Sequence, residues 1–290
     1  MPPLPALLLM HGVGDDGACW GPFVRRLCER EGLRGLTVVT PDAPAHGGRR
    51  SGPGQTIGWP DLLAAAITEA EALVAQSGGP IVVGGHSMGS MVALGVAATR
   101  PDLVVATWLE DPPLTDALPD VGSATADPAV PDGEGSDGEG SDGRSSGDGD
   151  GPAPSTPVDV SEFGDWFAAL QAIPLAEVIA AARADHPTWD DAEYELWARA
   201  KQSVDRDAFL EPVVWVHADT ERLLRRTPAP VVVAAGLPEL GGLVAPQAEA
   251  SLRALAGWSV HRLNAGHDVR RDAPDASADL LADLIRSVAR

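Results

Sequence analysis

The stretch from Pro80 to Ala98 constrains this chain more than any other. Pro80-Ile81-Val82-Val83-Gly84 is an apolar run of strand character. Gly85-His86-Ser87-Met88-Gly89 is a Gly-x-Ser-x-Gly pentapeptide, and Ser90 to Ala98 is a small, apolar segment of helical character. Strand, sharp turn and helix in immediate succession predict a corner at the edge of a buried sheet. A serine at such a corner takes a strained backbone conformation that lifts its hydroxyl clear of the sheet. Residues two before and two after it must be small, because a Cβ there would collide with the adjoining strand or helix. The pentapeptide alone is a modest signal. Its flanks make Ser87 a candidate nucleophile and set aside the blander reading, an ordinary glycine-rich loop.

The remaining chain supplies the sheet that this corner needs. Leu7 to Met10 reads as a strand buried on both faces that feeds the glycine turn His11-Gly12-Val13-Gly14. Trp20 to Arg30 has helical apolar spacing, Leu36 to Thr40 is the next strand, and Asp61 to Ala75 is a helix stopped by Gly78-Gly79-Pro80. Leu103 to Leu109 is again a buried strand, ending at Glu110-Asp111-Pro112-Pro113. Four helical stretches rich in tryptophan follow at about Glu162–Ile173, Leu175–Asp185, Asp190–Ser203 and Thr220–Arg226. Strands at Pro230–Gly236 and Trp258–Leu263 then alternate with helices at Pro246–Ala256 and Ala273–Ala289. This order predicts an α/β architecture, an open and mostly parallel sheet with helices on both faces. The expected organisation is a core of residues 1–113 and 229–290, a linker over 114–158 and a helical cap over 159–228. A helical aromatic stripe is more often core than ligand box. A helical layer inserted between two parallel strands must nevertheless pack over the sheet end where ligands bind.

Charge separates the linker from everything else. The formal net charge is −21, and between Asp116 and Asp159 eleven carboxylates face the single Arg144, which places −10 of the total in that stretch. The near repeat Gly133-Glu134-Gly135-Ser136-Asp137 and Gly138-Glu139-Gly140-Ser141-Asp142 cannot bury enough apolar area to offset its conformational entropy, so disorder is expected there. An active-site lid is the competing reading, but lids carry apolar residues to lay over a substrate. No basic patch exists to meet a phosphate backbone, and Lys201 is the only lysine, so nucleic acid is not an expected partner. Cys19 and Cys28, nine apart, do not match short metal or redox spacings. The N-terminus lacks the basic start and cleavage site of a signal peptide, and no run is long enough to span a bilayer. A cytoplasmic protein acting on a small molecule, with oligomeric state unreadable, is the expectation.

A serine hydroxyl needs a base within hydrogen-bond reach and an acid to orient that base. His267, in Ala265-Gly266-His267-Asp268 after the last strand, is the candidate base; a capping or solvent-exposed histidine is the bland alternative. Developing negative charge on a substrate oxygen needs N–H donors already aimed at it. Met88, at the start of the helix after Ser87, offers one, and Val13 in the first turn offers the second. His11 is read as ordering that turn, beside Gly12, and not as a base.

With these residues in place the chain resembles the α/β-hydrolase superfamily, in its capped, esterase-like branch. The matching pieces are His11-Gly12, Asp42 with His46-Gly47 and Ser51, Gly85-His86-Ser87-Met88-Gly89, Glu110-Asp111-Pro112 and Gly266-His267, which together cover nearly all of the chain outside 114–229. The resemblance implies a Ser87–His267 pair, oxyanion donors from Val13 and Met88, a helical cap, and no metal or organic cofactor. Three departures accompany it. The usual antiparallel edge hairpin is missing, so about six strands are expected. The acidic insertion has no counterpart. Relatives place an aspartate just after the strand that ends here at Gly236, where this chain has Leu237. Glu239, two residues on, is the first choice of acid; Asp111, after the strand beside the nucleophile's own, is the rival. The expected reaction is acyl transfer to water on a small, largely apolar ester or related acyl compound. The scaffold also hosts lyases and carbon–carbon hydrolases. A binding or interaction protein without turnover is the alternative from another class, raised by Leu237.

Overall fold

The computed structural model describes residues 3–52, 55, 57–114, 161–209 and 220–289. The acidic linker from Thr115 onward and Trp215 therefore lie outside the described residues. The first half comprises β1 (Leu7–Met10), α1 (Gly21–Cys28), β2 (Val38–Val39), α2 (Trp59–Ser77), β3 (Ile81–His86), α3 (Met88–Thr99) and β4 (Val104–Glu110). Four helices, α4 (Ser161–Gln171), α5 (Leu175–Asp185), α6 (Asp191–Ser203) and α7 (Thr220–Arg226), separate β4 from β5 (Val231–Ala235). The chain closes with α8 (Pro246–Ala254), β6 (Trp258–Arg262), α9 (Val269–Asp272) and α10 (Pro274–Val288).

The six strands form one sheet in the order β2-β1-β3-β4-β5-β6, every neighbouring pair parallel. This is the six-stranded α/β architecture expected from the apolar runs. Two elements are shorter than their sequence patterns. Of Leu36–Thr40 only Val38 and Val39 pair, half-buried at the sheet edge, where one side of the strand has no partner among the described residues. The pattern from Trp20 to Arg30 splits into a short 3₁₀ turn ending at Trp20 and a helix beginning beside Pro22, whose fixed φ suits a first helical turn.

Both faces of the sheet are covered, and alternation along β1 distributes its side chains between them. Leu8 and Met10 join Val83, α2, α3 and α8 on one face. Leu7 and Leu9 join Val82, Trp108, α1 and α10 on the other. Each fully buried leucine contributes roughly 1.5–3 kcal/mol relative to exposure. Helix α3 is buried at every position from Met88 to Ala98, which explains a composition apolar all round rather than on one stripe.

The connectivity places the site. From β1 the chain runs outward to β2 and then crosses back to β3 on the other side of β1. The loops at the carboxyl ends of β1 and β3 therefore leave the sheet side by side in opposite directions, which opens a crevice between them.

Candidate active site

Register brings the sequence-predicted residues to this crevice. Met10 pairs with Gly85 across β1 and β3, and His86 pairs with Glu110 across β3 and β4. Ser87, the next residue, has φ 52° and ψ −118°, a left-handed conformation that a non-glycine residue adopts only under strain. Its N–H donates to the Glu110 carbonyl at 3.0 Å, which anchors the corner to β4. The glycine requirement is steric: a Cβ at Gly89 would lie 2.2 Å from the Met10 carbonyl oxygen, and one at Gly85 would lie 2.2 Å from the Gly89 carbonyl oxygen.

The imidazole of His267 bonds through Nδ1 to Asp111 Oδ2 at 2.7 Å, with Asp111 fully buried and the His267 side chain 30% exposed. Asp111 takes φ 40°, which aspartate tolerates better than most residues, and so turns its carboxylate under the histidine loop. Two backbone donors hold that carboxylate: Gly236 N–H reaches Oδ1 at 3.0 Å and Leu243 N–H reaches Oδ2 at 2.8 Å. Hydrogen bonds to a charged group in such a site contribute about 1.5–3 kcal/mol each.

The preference for Glu239 over Asp111 does not fit this geometry. Glu239 lies in the 3₁₀ turn Pro238–Leu240 and is exposed. The loop after β5 is pressed against the histidine loop, since a Cβ at Gly236 would fall 2.0 Å from the Gly266 carbonyl oxygen. Asp111, on the adjacent strand end, is already beneath the ring.

Val13 lines the cavity described below, and Met88 opens α3 immediately after Ser87. The first N–H groups of a helix have no intrahelical acceptor, so the Met88 N–H is free to face an anion. His11 spends both ring nitrogens on backbone. Its Nε2 accepts from Ala43 N–H at 2.9 Å, so the proton sits on Nδ1 and is donated to the Gly12 carbonyl, also at 2.9 Å. Burial lowers its pKa, in keeping with a neutral ring that ties the turn in place.

Several residues at the site went unnoticed in the sequence. His86 packs its ring 4.6 Å from that of His267 and donates from Nε2 to the His267 carbonyl at 3.1 Å, steadying the histidine loop. Burial holds its pKa well below the ordinary value, with His267 and Arg270 adding to the effect. Beneath it lies a buried ionic network. Asp15 bonds Lys201 at 2.8 Å, Arg270 at 2.7 Å and Arg271 at 2.9 Å. Arg270 also meets Glu110, and Arg271 also meets Glu193 and Asp268. Burial works against the Asp15 carboxylate, but Arg271, Lys201 and Arg270 hold its pKa well below the usual range. The visible signals were the Arg270-Arg271 pair one residue beyond His267-Asp268, and a sole lysine one helical turn after Trp197.

Asp15, His86 and Asp268 could present three ligand atoms within 4.8 Å of one another. They do not suit a metal ion. Asp15 is already shared by three cationic side chains and Asp268 is paired with Arg271, so a further cation there would be repelled.

Ser87 and His267 open onto one cavity of ≈ 350 Å³. Its walls include Val13 and Leu243 from the core and Phe163, Trp166, Trp197 and Lys201 from α4 and α6. Phe163 and Trp166 remain 39% exposed and form the mouth. Helices α4 and α6 thus face the serine across a space lined by aromatic and charged side chains together.

Comparison with known proteins agrees with this architecture. The family model described as "Alpha/beta hydrolase family" matches residues 7–280. Lipase LipV of Mycobacterium tuberculosis is 38% identical over 109 residues, 37% of this chain and 36% of its own length. The (E)-2-((N-methylformamido)methylene)succinate hydrolase of Acinetobacter baylyi is 34% identical over 98 residues, 34% of each chain. The chain thus matches only about a third of the length of these relatives. Among solved structures, the peroxisomal alpha-beta-hydrolase Lpx1 of Saccharomyces cerevisiae superposes with a TM-score of 0.65 at 17% identity, over 98% of this chain and 78% of that one, a likeness of fold.

Proposed function

Because the chain belongs to the alpha/beta hydrolase family, we propose that it is a serine hydrolase in which Ser87 is the nucleophile, His267 the general base and Asp111 the acid that orients it. The observation that carries this reading is the 2.7 Å bond from His267 Nδ1 to a buried carboxylate, on a histidine that shares its cavity with the strained Ser87. A proton on Nδ1 leaves Nε2 with a lone pair, which is what a base needs.

The reaction follows from these roles. His267 Nε2 takes the Ser87 proton as Oγ attacks a carbonyl carbon. The oxyanion that forms is held by the N–H groups of Val13 and Met88. His267 then returns the proton to the leaving group, and a water activated by the same nitrogen cleaves the acyl-enzyme. The helices α4 to α7 serve as the cap, and the aromatic walls of the cavity suit a small acyl substrate with an apolar body. The Asp111–His267 bond favours turnover over the non-hydrolytic alternative, whose ground was the apolar Leu237.

The pH dependence provides the test. Burial pulls the His267 pKa down, but the hydrogen bond that its Nδ1–H donates to Asp111 and the charges of Asp268, Asp111 and Glu110 outweigh it and leave it above 6.5. His267 must be neutral to accept a proton, so kcat/KM for a neutral p-nitrophenyl ester rises with pH through one ionisation centred above 6.5. A centre below that value, or a rate that does not respond to pH, would contradict this assignment of the base.

A further inference from the structure

Lys201 is the sole lysine of the chain, only 3% exposed, and one of the residues lining the cavity that holds Ser87 and His267. An ammonium group carries three donors. Among the described residues, Asp15 accepts one of them at 2.8 Å, and the other neighbours of Nζ are the ring faces of Trp197 at 4.9 Å and Trp166 at 5.6 Å. Two N–H donors therefore have no oxygen acceptor among the described residues.

The charge around Lys201 is also unevenly shared. Arg270 has Glu110 in addition to Asp15, and Arg271 has Glu193 and Asp268 in addition to Asp15. Among the described residues, Lys201 has only its share of Asp15, which it divides with both arginines. Of the three cations it is the one left short of negative charge, and it is the one framed by the aromatic walls of the cavity. Cation–π contacts with two tryptophans hold such a group in place without neutralising it.

Its position relative to the proposed oxyanion turn is fixed as well. The Lys201 Cδ atom lies 3.1 Å from where a Cβ on Gly14 would stand, so the side chain rests on the turn that carries Val13. An anionic group held at Nζ therefore sits close to the scissile carbonyl.

We propose that Lys201 is a specificity-determining residue that binds a carboxylate carried by the substrate a short distance from the carbonyl under attack, so that the preferred substrates are short acyl compounds with a free anionic end. This rests on the serine-hydrolase reading above and narrows its substrate class. The Lys201 ammonium donates to the substrate carboxylate with the two protons that Asp15 leaves, while Trp166 and Trp197 cover the intervening methylene groups. The charges opposing such an anion are Asp15 and Asp268, both engaged by arginines.

The test compares p-nitrophenyl hemi-esters of succinate and glutarate with the neutral butyrate and valerate esters of similar length. Wild-type protein is expected to favour the anionic member of each pair in kcat/KM by tenfold or more. In Lys201→Met, which keeps length and removes charge, that preference ratio falls by tenfold or more, chiefly through KM; in Lys201→Arg part of it returns. A wild type that shows no preference for the anionic esters overturns the proposal. So does a Lys201→Met whose ratio is unchanged, because the two rates have then fallen together through a role in the fold or at the oxyanion. Binding is measured separately from turnover in Ser87→Ala, using glutarate and the quenching of tryptophan fluorescence. Affinity weakened tenfold or more by adding Lys201→Met supports the anion site even where no ester is cleaved, an outcome that would remove the hydrolase reading alone. Equal affinity in the two proteins overturns the site whatever the turnover.

Discussion

Ser87→Ala lowers kcat for a p-nitrophenyl ester by about 10⁶-fold, the scale of loss when the nucleophile of a triad is removed. So large an effect is expected because no second nucleophile among the described residues is placed to substitute. His267 is committed through Nδ1 to Asp111, and His86 is turned away, donating to the His267 carbonyl. What survives is the contribution of the Val13 and Met88 N–H groups and of the cavity, about 10³-fold over water. Alanine at position 87 has to take the same φ of 52° as serine, so the variant folds with nearly the parent's stability, which a denaturant titration at unchanged slope verifies. Retention of more than a few per cent of the parent rate would remove Ser87 from the mechanism.

Asp111→Asn is the second large effect, about 10⁴-fold in kcat/KM. The side-chain oxygen of asparagine can still accept from Gly236 N–H, but its NH₂ then points at His267 Nδ1, where a donor already stands. The histidine relieves the clash by moving its proton to Nε2, the nitrogen that must be bare to receive the proton of Ser87. Loss of the charge also leaves burial with less opposition, so the His267 ionisation moves to lower pH while the plateau falls. Glu239→Gln changes kcat/KM by less than about twofold, as befits a surface substitution with no bonded partner at the site. The reverse ranking of the two variants would reinstate Glu239.

The contrast between these two carboxylates shows how far the sequence could be read. The corner at Ser87 was legible because three local patterns coincide there: a buried strand, glycines at the two positions where a Cβ meets backbone, and an all-apolar helix. The succession of strands and helices followed from alternation of apolar runs with helical spacing, and the missing edge hairpin from the fact that the first run already leads into the glycine turn. The acid was not legible in the same way. Choosing between Asp111 and Glu239 depends on which strand end lies beneath the histidine loop, and on the close approach of Gly236 to Gly266, where a Cβ at Gly236 would fall 2.0 Å from the Gly266 carbonyl oxygen. That approach joins residues thirty apart in sequence and leaves no local signature beyond a glycine. The ionic network was hidden for a related reason. Asp15, Glu193, Lys201, Arg270 and Arg271 come from three separate segments, and each alone reads as a surface charge until the fold buries them together. Only the scarcity of lysine marked Lys201 as unusual.

The central claim is that Ser87 is a nucleophile activated in the folded protein. Mass spectrometry after treatment with an organophosphonate ester tests it most directly, because the reagent forms a bond to an activated serine and not to an ordinary hydroxyl. The expected result is a single adduct on the peptide carrying Ser87, absent from denatured protein and from Ser87→Ala, and formed far more slowly in Asp111→Asn. Folded wild-type protein that carries no adduct on Ser87 would contradict it.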